Sequence, residues 1–70
     1  MHYYFPELIR LRMDHGKTQT AIARELGISQ TLYSRYELGK CRVPIEILFD
    51  LAAIYEIPLE LVFAGKIKID

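Results

Sequence analysis

The sequence predicts an all-α fold, a compact domain of five short helices in which the second and third meet at a sharp turn. Three observations carry this. Ile22, Ala23 and Leu26 recur at helical spacing and stop at Gly27. Ser29 then offers a fresh helix cap, with Tyr33 and Tyr36 three apart behind it so that they face the same way. Further on, Ile45, Leu48, Phe49, Leu51, Ala52 and Tyr55 form an apolar set wide enough to pack on the first three helices. Seventy residues allow one domain with a thin core. Such a chain gains from a ligand or a partner subunit.

The first helix is expected from Phe5 or Pro6 to His15. Pro6 suits the first turn, Leu8 and Leu11 face the core, and Gly16 ends it. Arg12 is a long cation on a helix otherwise headed for burial. Thr18 caps the second helix, because its hydroxyl can accept an orphan backbone N–H. Ala23 sits where the second and third helices come closest, and its small side chain permits the approach. Gly27 supplies the left-handed stop, and Ile28 plugs the corner. Neither helix carries Glu or Gln three residues after its cap, so the fuller capping box is missing. The third helix occupies 29–38 and stops at Gly39.

A fourth helix is expected from Pro44 to Tyr55, with Glu46, Asp50 and Glu56 giving it an acidic outer face. Pro58 opens a fifth, with Leu59, Leu61, Val62 and Phe63 as its apolar residues and Gly65 as its stop. The domain therefore spans 1–65. The tail 66–70, KIKID, alternates polar and apolar with period two and reads as a strand or an extended arm that could join a second subunit.

Net charge is zero, but it is unevenly spread. Residues 1–42 hold seven Lys/Arg and four acids; residues 43–70 hold two lysines and five acids. Screening acts over roughly 8 Å at physiological salt, so a local basic patch outweighs the total. The single cysteine, Cys41, has no disulfide partner and no metal-ligand neighbours, which fits a reducing cytoplasm. No long apolar run predicts a membrane span, and no signal peptide is evident. His2, His15 and Cys41 are the obvious reactive side chains, and no motif joins them, so no enzyme, metal or cofactor is expected and no small-molecule ligand is evident.

Gln19, Ala23, Gly27, Ile28 and Ser29, followed by TLYSRYELGK, resemble the helix-turn-helix of the Cro/phage-repressor type, also called the xenobiotic-response-element family. The similarity runs from about Leu8 through Leu61. It implies a repressor-like domain that lays its third helix in the major groove of double-stranded DNA. Residues at the start of that helix usually reach base edges: here Gln30, Thr31, Ser34 and Arg35. Glutamine can bond adenine N6 and N7 together, and Arg35 suits guanine O6 and N7. The phosphate candidates are Lys17, Gln19, Ser29, Lys40 and Arg42.

The resemblance also implies that Gln19 contacts a phosphate and braces Gln30, and that Arg12 pairs with Glu37. Two positions depart from the family. Tyr33 is bulkier than the aliphatic residue often found there, and its hydroxyl is expected to reach water or a phosphate. Cys41 replaces a position that is often basic. The expected partner protein is a second copy, a homodimer reading an inverted-repeat operator as a repressor. The alternative is an antitoxin or a phage or mobile-element accessory protein that holds a protein partner as well as DNA. The Met1 start and short tail argue for a whole small regulator over a detached domain.

Overall fold

The computed structural model describes residues 1–70. Five helices form in the expected order: α1 (Glu7–Asp14), α2 (Gln19–Leu26), α3 (Gln30–Glu37), α4 (Ile45–Tyr55) and α5 (Leu59–Phe63). Two three-residue strands complete the fold, β1 (His2–Tyr4) and β2 (Ile67–Ile69). The strands pair antiparallel, His2 opposite Ile69 and Tyr4 opposite Ile67. The tail's alternating pattern thus forms a strand within the chain's own sheet. Its partner at the N-terminus was not expected from the sequence.

The helix ends follow from local chemistry. Thr18 Oγ1 accepts from Ala21 N–H at 3.0 Å, and Ser29 Oγ accepts from Leu32 N–H at 3.1 Å. Gly27 ends α2 at φ 73°. The N–H groups of Gly27 and Ile28 there return to the carbonyls of Arg24 and Ala23. This paired closure satisfies carbonyls that a helix end otherwise leaves free. α4 closes the same way without a glycine, through Glu56 at φ 54°.

The core draws on every helix. Leu8, Leu11, Ile22, Tyr33, Tyr36, Leu48, Leu51, Tyr55 and Val62 are buried, with Ala23 at the α2–α3 approach only 2% exposed. Phe5 and Val43, on connecting segments, close its ends. Each fully buried aliphatic side chain stabilises the fold by about 1.5–3 kcal/mol relative to exposure.

Two expectations for α4 are corrected. Ile45 and Phe49 were placed in its packing stripe, yet they are 45% and 55% exposed. The inward face is Leu48, Leu51, Ala52 and Tyr55, at spacings of three and four. Ile45 and Phe49 lie four apart on the neighbouring flank, which no element of this chain covers. Leu61 on α5 is likewise half-exposed, and Val62 alone of that helix is fully buried.

Candidate nucleic-acid interface

The geometry of the site starts at Glu37, on the last turn of α3 and only 3% exposed. A buried carboxylate must be paired or hydrogen-bonded to remain charged. Arg12 of α1 supplies this, with Nε donating to Oε2 at 2.6 Å and Nη2 to Oε1 at 3.2 Å. A third Arg12 donor, Nη1, reaches the Lys17 carbonyl at 3.0 Å and so ties down the α1–α2 turn. Burial alone would raise the Glu37 pKa. The hydrogen bonds, that from Arg12 foremost, outweigh burial and hold it below its ordinary value. The same bond raises the Arg12 pKa against the opposing pull of its burial.

From Glu37 a relay runs outward. Gln19 Nε2, at the start of α2, donates to Glu37 Oε1 at 2.9 Å. Gln30 Nε2, at the start of α3, donates to Gln19 Oε1 at 2.7 Å. A carboxylate only accepts, so Gln19 must turn its amide NH2 inward and its oxygen outward. That oxygen in turn requires the NH2 of Gln30. One buried charge therefore fixes the orientation of two amides. Gln30 keeps one N–H and its carbonyl oxygen unused, on an exposed side chain.

Thr31 and Arg35 are also exposed, on the face of α3 opposite Tyr33, Tyr36 and Glu37, and Ser34 is half-exposed on the flank between them. Neither Thr31 nor Arg35 makes a side-chain bond within the chain. Gly27 makes the turn that sets this helix on α2. Ile28 and Leu32 are half-buried against the core beside it.

The phosphate candidates divide. Gln19 and Ser29 stand at the starts of α2 and α3. The Ser29 oxygen accepts from Leu32 N–H, which leaves its own proton to donate. Lys40 is exposed just past the end of α3. Lys17 is already bound to Glu25 through Nζ at 2.7 Å. Arg42 is exposed too, but it borders a cleft between β1, α4 and α5 rather than the α2–α3 turn.

The expectation for Tyr33 is corrected. Its side chain is fully buried, and its hydroxyl is sealed from solvent close to the Glu37 carboxylate, without a partner at full hydrogen-bonding geometry. The larger ring fits because it turns inward beside Tyr55, whose hydroxyl is also buried and unpaired. Burial, with the adjacent Glu37 charge adding to it, pushes the Tyr33 phenol far up. Burial pushes that of Tyr55 up to about 12.

Sequence reasoning missed the residues that hold the far end of α3. The His2 imidazole lies 2.8 Å from the Gly39 carbonyl, and since a carbonyl only accepts, Nε2 carries the proton. Gly39 has φ 70°, and a Cβ there would lie 2.9 Å from Tyr4 Cδ1. The N-terminal strand thus rests directly on the glycine that ends α3.

Two capped helices about a left-handed glycine, the second with a polar exposed face, define a helix-turn-helix DNA-binding module. The family described as helix-turn-helix matches residues 8–62. The chain belongs to this family, the Cro/phage-repressor type of DNA-binding transcription regulators. No curated protein and no solved structure gives a match. No helix is long and apolar enough to cross a membrane.

Proposed function

We propose that the protein regulates transcription by reading a specific double-stranded DNA site with α3, binding as a homodimer to an inverted repeat. One observation carries the reading: the relay from Glu37 through Gln19 to Gln30. It pre-orients an exposed amide whose free oxygen and free N–H match the donor at N6 and the acceptor at N7 of adenine. Ordering that side chain in advance removes an entropy cost that binding would otherwise carry.

Thr31 and Arg35 extend the reading face, with Ser34 beside them. Gln19, Ser29, Lys17 and Lys40 flank it as phosphate contacts, and the helix starts add exposed N–H groups that favour an anion. Arg42, which borders the cleft away from the α2–α3 turn, is not counted in that row. A two-fold dimer presents two such helices to successive major grooves, about 34–36 Å apart. Occupying a promoter in this way represses by occlusion.

Selection of bound duplexes from a random pool tests this. The expected product is a two-fold site whose half-sites repeat at one helical turn. Recovery of no preferred sequence would overturn the reading.

A further inference from the structure

The chain's one cleft lies apart from the reading face of α3, between β1, α4 and α5, and measures about 410 Å3. Small-molecule sites typically enclose roughly 300–1,000 Å3. None of Gln30, Thr31, Ser34 or Arg35 lines the cleft. Its walls are mostly apolar, with Val43 and Leu48 in the core beneath and the rings of Tyr3, Phe5 and Phe63 among them. Those rings form a row. The centres of Tyr3 and Phe5 are 6.5 Å apart, and those of Phe5 and Phe63 are 5.8 Å apart. Tyr3 is exposed and Phe63 half-buried, so the row keeps aromatic surface uncovered.

The charge of the lining is one-sided. Arg42 and Lys66 belong to it, and none of the chain's 9 Asp and Glu residues does. Net charge over the whole chain is zero, so this excess is local. Lys66 Nζ stands 5.0 Å from the centre of the Tyr3 ring and 5.2 Å from that of Phe63, within cation–π range. An ammonium is thereby held against the aromatic row. The chain's ion pairs all lie elsewhere, at Arg10, Arg12 and Lys17, so neither cation of the cleft meets a carboxylate. His2 also lines the cleft, but its Nε2 proton is committed to the Gly39 carbonyl. A cleft with apolar walls and one sign of charge focuses the field and concentrates the opposite ion.

We propose that the cleft binds a small aromatic carboxylate, its flat body against the row of rings and its anionic head drawn to Lys66 and Arg42. The aromatic body follows from Tyr3, Phe5 and Phe63, on which a further ring can stack or meet edge to face. The carboxylate follows from two cations without an anion, since charge-assisted hydrogen bonds to a carboxylate are about twice as strong as neutral ones. Such a ligand touches three segments far apart in sequence: β1, the loop after α3 and the turn before β2. The unfolded chain has no such site, so binding stabilises the fold by mass action. The site goes beyond the DNA reading and does not depend on it.

Titration of the protein with naphthoate, followed by backbone amide NMR shifts without DNA, tests the proposal. Shifts should concentrate at Tyr3, Phe5, Arg42, Phe63 and Lys66 and leave Gln30, Thr31 and Arg35 unmoved. Naphthamide, which has the same rings and no charge, should bind about tenfold more weakly, the loss of one charge-assisted hydrogen bond. The double variant Arg42→Gln, Lys66→Met should bind the two probes alike. Both positions are exposed, so the core is undisturbed, and the comparison of probes on the wild type stands by itself. Equal affinity of the wild type for both probes, a preference for naphthoate kept by the double variant, shifts centred on α3, or no binding at millimolar naphthoate would each overturn the proposal. Shifts at the cleft that follow dilution of the protein instead of naphthoate would also overturn it and give the cleft to a second copy. Whether α3 selects a duplex alters none of these outcomes.

Discussion

Gln19 lies between Gln30 and Glu37, accepting from the first at 2.7 Å and donating to the second at 2.9 Å. Gln30→Ala should cost about 1–3 kcal/mol on the selected site and relax choice at one base pair. Gln19→Ala should relax choice at that same base pair although Gln19 reads no base, because Gln30 is then free to turn. Competition binding against single-base variants of the site measures both. Equal loss on every sequence from Gln30→Ala would deny it a base-reading role.

Lys40 is exposed just past the end of α3, and we propose that it meets a phosphate there. Lys40→Ala should weaken all duplexes alike and make the salt dependence shallower by about 0.9 in log–log slope. Titrations at several salt concentrations give that slope. An unaltered value removes the contact.

Arg12 neutralises a carboxylate that is otherwise sealed in the core. Arg12→Ala should destabilise the fold by about 3 kcal/mol, since it strands the Glu37 charge. For a domain of this size each kcal/mol moves the midpoint by roughly 4–8 °C. Thermal unfolding followed by circular dichroism should show the drop. A midpoint shift of the size seen for an exposed pair would mean that Glu37 finds other compensation.

Acid should act on the same residue. The folded-state pKa of Glu37 is depressed, so the native state binds its proton less readily than the unfolded chain does. Its contribution is then fully present above the ordinary value of 4.5 and lost as pH falls through the lower folded value. Denaturant unfolding at a series of pH values should show stability falling below that point. Glu37→Gln, though less stable at neutral pH, should fall less steeply there.

Tyr55 buries a hydroxyl that bonds to nothing. Tyr55→Phe removes that cost and should leave stability unchanged or raise it by about 1 kcal/mol. Chemical denaturation of the pair decides the sign. A clear loss would show that the hydroxyl is bonded in solution, as through a buried water.

The parts of this design that are local in sequence were legible in it. Thr18, Ser29 and Gly27 announce two helices and a turn, because caps and left-handed stops depend on a few adjacent residues. The Arg12–Glu37 pair and the Gln19–Gln30 brace came through the family resemblance, and the geometry places both pairs in contact. Non-local features stayed hidden. The strand at His2–Tyr4 lacks a pattern of its own, and its partner is at the opposite end of the chain. Ile45 and Phe49 read as core because composition shows that they are apolar, while only packing shows that nothing covers them. The end of α4 at Tyr55 was legible, but not that Glu56 would close it with a left-handed backbone, a conformation usually left to glycine.

With His2 set beside Ile69, the polypeptide is nearly a closed ring. An affinity tag or fused domain on either end therefore emerges at the sheet, next to the anchor that His2 makes on Gly39. A short spacer could join the ends, and a fresh opening at the exposed Gly16 corner would then give a circular permutant with its termini far along the sequence from that anchor.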